Sequence, residues 1–442
     1  MKRIGLITCF IMLYAILISS MLFAQVGFDE IFGPALEENE PVVSPVTVSG
    51  HAGIDVSSFI DCSSEISIVP NLAFELGWAN AHSDASVRLR LRPYNMSDPF
   101  EWTKIIDTIS IRRFFPWGHV EAGLLKKEWG KGDGIHALDP LNTLDQRHGI
   151  KANLQDMKIA EPMITVAIGT ADIRGQLVYK PISLSVLPAI SGPWSVIDPA
   201  YAALIDPAAV PKTNTLEFGQ FAGRIDVHHA NIDVGIMAFM GHMSQPSFAI
   251  RLDPSTYQPT SIQIGYTRAF LAGIDAGFAA GPFTFMSEAG IWISEDFNAS
   301  DSDKYNNACV YQAGFDVTIP SSTIIISAQL NGRYILDLDT ANPLDVDMAQ
   351  AYGGKPYANT MITAINSTWF KDRIETRLAF LWQIESNGYV FMPMFTWKLD
   401  DAVSVQIEAT VYGSFDSSDG IESIYERWDG NDTITICTLY TF

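Results

Sequence analysis

In residues 403–411, VSVQIEATV, apolar Val403, Val405, Ile407, Ala409 and Val411 alternate with polar Ser404, Gln406, Glu408 and Thr410. A period of two puts the two sets on opposite faces of an extended strand. The same alternation runs through ASVRLRLR (85–92) and CVYQAGFDV (309–317). Strands of this kind separate oil from water along their length. A soluble sandwich and a transmembrane barrel both provide for that.

Segment spacing points to the barrel. Strands are expected near 45–58, 71–79, 84–94, 105–113, 117–128, 159–168, 173–183, 215–227 and 231–250. Nine more follow near 261–279, 284–295, 309–318, 323–334, 360–369, 374–384, 389–397, 403–413 and 431–442. That makes about eighteen, with sixteen as the other count. Most have the nine to eleven or so residues that a tilted strand needs to cross a bilayer. Short connections such as NAHS (80–83), GTAD (169–172), IPSS (319–322) and FKDR (370–373) alternate with long ones. The longest lie at 129–158, 184–214, 335–359 and 414–430, and only ESNG (385–388) breaks the pattern. Short turns on one rim and long loops on the other are the layout of an outer-membrane barrel. A sandwich has no reason to segregate them.

The bilayer also dictates closure, because an open sheet edge would leave a row of backbone groups without partners. Aromatics at strand ends, such as Phe283, Trp369, Phe370 and Trp397, suit an interfacial girdle. The expected fold class is all-β, a transmembrane antiparallel up-and-down barrel.

Export agrees. Lys2 and Arg3 precede the apolar run GLITCFIMLYAILISSMLFA, which ends at Ala24. Residues 1–24 therefore read as a secretory signal peptide, the alternative being an anchor of spanning length. Cys62, Cys309 and Cys437 lie too far apart for a metal cluster and are too few for a disulfide scaffold. No metal or cofactor is expected. The formal charge is −22, which argues against nucleic-acid partners and anionic lipid surfaces. Acidic runs at 337–347 and 416–432 read as a solvated rim, since their spacing fits no standard Ca²⁺ loop.

If Val87, Leu89 and Leu91 face lipid, Arg88, Arg90 and Arg92 face the lumen. An arginine facing lipid at mid-bilayer would cost about 2–4 kcal/mol, which fixes the parity. By the same rule Arg112, His119, Glu121, Lys127, Arg174 and Lys180 line the interior. Later strands add Glu288, Asp316, Gln329, Asn331, Arg333, Glu375, Arg377 and Glu408. The early strands thus present a mostly basic wall and the later ones a mixed, more acidic wall. A conducting pore is expected, because a barrel of this size encloses aqueous space. In the alternative these residues pair with one another and plug the barrel.

KKEWGKGDGIHALDPLNTLDQR (126–147) opens one of the longest loops. GKGDG is not a phosphate loop, because no Gly-Lys-Ser/Thr and no helix follow. The spacing of Asp133, His136 and Asp139 demands no metal. The segment reads as a folded loop in which Trp129 anchors the entrance, while Gly130, Asp139 and Asn142 shape the backbone. GLLKKEWGKGDGIHALDPLNTLD resembles the WG…D-x-x-NPLD signature of bacterial outer-membrane proteins akin to alginate-export-type porins. Trp129, Gly130, Asp139, Asn142 and Asp145 carry the likeness, with GFDEIFG (27–33) and 217–242 in support; Thr143 stands where that group usually has proline. The resemblance implies a passive channel without catalytic residues and a WG…D loop folding toward the lumen as a constriction. It also makes residues 25–43 a short periplasmic extension ahead of a barrel at 44–442. The closing ITICTLYTF, ending on Phe442, resembles the terminal strand that barrel-assembly machinery recognises in its clients.

The expected function is passive diffusion of small hydrophilic solutes through an outer-membrane porin. The alternative is a surface adhesin or structural barrel that binds ligands through loops 184–214 and 335–359. No Gly-x-Ser-x-Gly and no His–Asp–Ser set suggests an enzyme.

Overall fold

The computed structural model describes residues 45–60, 66–93, 105–132, 134–151, 154–185, 187–415 and 422–442. The expected signal peptide and N-terminal extension, Asp133, and residues 416–421 of the second acidic run fall outside them. Strands β1 to β9 are Val46–Phe59, Ile66–Ala79, Ser83–Leu91, Ile106–Phe115, Gly118–Leu125, Glu161–Gly169, Ile173–Lys180, Gln220–His229 and Ile232–His242. Strands β10 (Ser247–Leu252) and β11 (Pro259–Gly265) form a hairpin of their own. Strands β12 to β20 are Arg268–Ala280, Phe283–Ser294, Ala308–Thr318, Ile325–Ile335, Tyr357–Trp369, Ile374–Gln383, Gly388–Lys398, Val403–Ser414 and Thr433–Thr441.

Eighteen of these make one antiparallel sheet in which β1 pairs with both β2 and β20, so the wall closes. At the seam Phe442 and Gly50 exchange two backbone hydrogen bonds of 3.0 Å. No wall strand is left with a bare edge, as a medium without water requires. The outward set is apolar: Ile111, Leu177 and Ile236 are all at least 60% exposed. Phe115 stacks on Trp117 at 4.9 Å and Phe278 on Phe285 at 4.8 Å close to the short-turn rim.

One expectation needs correction. Residues 231–250 and 261–279 are not two long wall strands. Strand β9 stops at His242 and β12 begins at Arg268, and the β10–β11 hairpin rises between them outside the wall. The two-residue period is the same on either side of the break, so alternation alone does not reveal it. The tetrapeptide MSQP (243–246) marks the break, since Pro246 has no N–H to give a ladder. Ile262 and Ile264 of this hairpin are buried with Ile205, and Ile190, Ile197, Leu204 and Val210 pack against them. The β7–β8 loop is thereby tied into a folded cap. ESNG, by contrast, does lie on the long-loop rim, where β17 and β18 join directly.

Candidate functional site

The segment between β5 and β6, residues 126–160, carries the WG…D sequence and folds into the cylinder. Asn142 staples its two ends together. Its Nδ2 donates to Leu125 O at 2.9 Å and Ile159 O at 2.8 Å, and its Oδ1 accepts from Lys127 N at 2.8 Å. Trp129, 3% exposed, donates from Nε1 to Gln176 Oε1 on β7 at 2.9 Å. Asp139 receives Lys158 Nζ at 2.5 Å, and Asp145 receives the Arg147 guanidinium at 2.6 Å. Thr143 explains its own departure from the proline pattern. Its N–H and hydroxyl both donate to Glu161 Oε1, at 3.0 and 3.1 Å, and a proline would lack the first of these.

The far wall meets this loop with one carboxylate. Glu288 of β13 accepts Lys131 N at 2.7 Å, Gly132 N at 2.9 Å and Leu138 N at 2.9 Å. His136 bridges Glu288 and Glu128, at 3.1 and 2.8 Å. The turn needs glycine at 130. Its φ is +103°, and a Cβ there would lie 2.3 Å from Glu288 Oε1. Leu138, fully buried, drops into a dent formed by Gly273 and Gly290, which face each other across β12 and β13.

Register explains where the loop docks. On adjacent strands Val178, Ala222, Phe239, Leu271, Trp292 and Ala308 stand side by side as one apolar row. Trp129, Leu138 and Leu141 bury themselves against that row. Four residues along each strand toward the short turns runs a second row. It begins Arg174, Asp226, Gly235, Asp275, and continues Glu288, Gln312, Asn331, Thr360, Gln383. Only Gly235 interrupts its polarity. Arg174 is one residue in from the short-turn end of β7, and Gln383 ends β17 at the opposite rim. A hydrogen-bonded row in a sheared barrel climbs as it goes round, so this one runs from mouth to mouth.

Most of the expected basic wall is neutralised by neighbouring carboxylates. Arg112 faces Asp84 at 2.7 Å, Arg90 reaches Asp156 of the loop at 2.7 Å, and Arg88 lies 3.5 Å from Asp107. Arg92 pairs with Asp55 at 2.6 Å and lies 3.8 Å from Glu408. Lys127 lies in the loop rather than on β5, and it pairs with Glu121. Lys180 is sealed beneath the loop at 2% exposure, bonded to Glu161 at 2.8 Å and to Leu141 O at 2.7 Å. His119 lies beside Glu121 on β5, Arg174 is exposed at the short-turn end of β7, and Glu375 holds Lys398 at 2.5 Å. Arg377, opposite Asn366 and Met394, has a buried Nε without a hydrogen-bond partner among the described residues.

Sequence reading placed Glu288 inside the barrel without its role as the loop's receptor. It missed Asp156, the glycine dent and the cluster of Trp194, Tyr412, Tyr425 and Trp428 above β16–β18. Each is a meeting of distant segments, for which strand periodicity carries no signal.

The His136 bridge makes docking sensitive to pH. Burial alone would lower the pKa of this loop imidazole, but its hydrogen bonds to the carboxylates of Glu288 and Glu128 outweigh it and the net shift is upward. A raised pKa contributes docking stability that is complete below about 6.5 and lost as pH rises through the folded value. The loop is therefore expected to loosen as pH rises above about 6.5. Hydrogen exchange of residues 130–138 would register it, and His136→Gln should flatten the profile.

A closed wall of eighteen strands, apolar outside, with a loop folded within, decides the architecture. The fold is that of an outer-membrane β-barrel. No known family profile matches the chain, and no curated protein matches it. Among solved structures it is similar to the outer membrane protein OpdK of Pseudomonas aeruginosa. The two share 8% identity over 90% of this chain and 98% of that one, with a TM-score of 0.50. Wzi, an Escherichia coli outer membrane protein involved in group 1 capsule assembly, shares 10% identity over 90% and 85%, with a TM-score of 0.49. The outer membrane channel DcaP of Acinetobacter baumannii shares 7% over 92% and 100%, with a TM-score of 0.44. Likeness at these identities is likeness of fold.

Proposed function

We propose that the protein is a passive outer-membrane channel for small hydrophilic solutes, narrowed by the 126–160 loop. The closed eighteen-stranded wall, with polar and charged side chains on its inner face, carries this reading, because a barrel of that strand number encloses aqueous space. Arg88, Arg90, Arg92, Arg112 and Arg174 set the field of the lumen in this reading, with Glu121, Glu375 and Glu408 opposing them. Because four of those arginines hold carboxylate partners, selectivity between anions and cations is expected to be weak. The likeness of the WG…D loop to alginate-export-type porins supports the placement of the constriction. In the adhesin alternative the long loops would bind a ligand. Much of the apolar surface of the β7–β8 loop is instead spent on packing against β10–β11. Phe442, hydrogen-bonded into the seam, serves assembly in this reading, and its deletion should lower the outer-membrane yield.

Reconstitution of the purified protein into planar bilayers tests the proposal. Discrete conductance steps with near-unit cation-to-anion permeability are expected. Protein that migrates as a heat-modifiable barrel on gels yet opens no channels would refute it.

A further inference from the structure

The segment between β7 and β8 leaves the wall at Lys180 and returns to it at Gln220. On the way Trp194 reaches Tyr412, near the long-loop end of β19, with the two rings 5.5 Å apart. Strand β19 stands nine strands from β8 in either direction round the eighteen-stranded wall, and so diametrically opposite. Farther along, Ile205 is buried with Ile262 and Ile264 of the β10–β11 hairpin, and Ile262 N donates to Leu204 O at 3.0 Å. That hairpin lies between β9 and β12, back on the side from which the segment set out. Residues 187–219 are therefore a strap across the long-loop mouth, anchored on one side and made fast on the other.

The far attachment is narrow. Trp194 and Ser195 are buried, whereas Ser191, Gly192 and Pro193 just before them are exposed. Trp194 meets Trp428 edge-on at 5.5 Å as well as Tyr412. Two side chains of the β19–β20 connection bind the strap backbone. Asn431 Nδ2 donates to Pro193 O at 2.6 Å and Trp428 Nε1 to Ser195 O at 3.3 Å. Gly192 turns the chain just ahead of this point at φ +78°, and a Cβ there would have nothing within 4 Å. The lumenal loop is held by the same rings. A Cβ on Gly149 would lie 2.5 Å from Trp194 Cζ3 and 2.7 Å from Tyr412 Oη, and Ile150 N donates to that hydroxyl at 3.1 Å.

We infer that the strap and the lumenal loop form one coupled gate at the long-loop mouth, with Trp194 as the latch common to both. The inference rests on the channel reading for what the gate controls. A close-packed ring shared by two segments loses its contacts with both when either departs, so loosening one loosens the other. Coupling of this kind is reciprocal: release of the loop at Glu288 must also weaken the latch. Opening falls at the Trp194 end, where one ring and a few side-chain hydrogen bonds hold a chain with a free pivot at Gly192. The other end is held by the apolar packing of Ile205 on the hairpin.

Hydrogen exchange on the detergent-solubilised barrel tests the coupling without requiring conduction. Trp194→Ala is expected to speed exchange about a hundredfold at residues 187–197, the scale of losing a large buried aromatic side chain. It should also speed exchange about tenfold at 136–142, which dock at Glu288 and the glycine dent rather than at Trp194. Asn431→Ala, which removes the bond to Pro193, should give the same pattern in milder form, about tenfold at the strap. Glu288→Ala should in return speed exchange at 187–197. Heat-modifiable mobility shows that each variant is folded, and both latch variants should conduct more than the parent in planar bilayers. If the strap keeps its parent protection in both latch variants, or loosens while 136–142 does not, the gate is refuted. Coupled loosening at parent conductance refutes it too. Conducting channels with uncoupled segments would overturn the gate and leave the channel reading intact. Coupled segments in a barrel that never conducts would overturn the channel reading and the gate with it.

Discussion

Replacement of Glu288 by alanine is expected to release the lumenal loop and raise single-channel conductance several-fold, with the barrel itself intact. Three backbone N–H groups and His136 converge on that one carboxylate, whose side chain is fully buried. Removing it strands all four donors in a dry site. Breaking a buried charged pairing costs about 3–5 kcal/mol, which falls on loop docking because the wall keeps its own ladder. A shift of that size moves the loop from almost always docked to frequently open. Bilayer recordings would show larger or flickering steps, and protease cleavage within 126–151 would speed up. Unchanged conductance and unchanged cleavage would mean that Glu288 does not hold the loop.

Gly273→Ala should unseat the same loop through shape alone. The new methyl would lie 2.4 Å from Leu138 Cδ2 and 2.7 Å from Cδ1, and the three nearest atoms all belong to Leu138. Overpacking of this kind costs about 1–3 kcal/mol. Leu138→Ala alone empties the dent and should cost about 2–5 kcal/mol of docking. In the double variant the smaller side chain makes room for the new methyl, so the combined loss should fall well below the sum of the single losses. Hydrogen-exchange protection at residues 130–142 reads all three variants. Additive losses would show that the leucine and the glycine are not a fitted pair.

The wall was legible because it answers a local question. Lipid outside and water inside impose a period of two on each strand separately, so Val405 and Gln406, or Leu89 and Arg90, declare their faces without reference to the rest of the chain. The hairpin at 247–265 escaped for the same reason, since a strand that leaves the wall keeps its period. The loop interior was only partly legible. Trp129 and Asn142 stand out as residues that shape or anchor a turn. What they anchor to, Gln176 and the ends of β5 and β6, is settled by folding over distance. The arginines illustrate the limit best. Parity put Arg88, Arg90 and Arg92 inside, but whether they make a field or a lattice of closed pairs depends on Asp55, Asp107 and Asp156, each contributed by a different segment. Charge counted along a strand cannot see its counter-charge.

The polar row crosses nine of the eighteen strands between one rim and the other. Its middle members Asp275, Glu288 and Gln312 are only 1–2% exposed, so a solute can grip the row only toward its two ends. Between them the loop, not the wall, is the surface that a traveller meets. The row is a seat for the loop at its centre and a pair of landings at the rims.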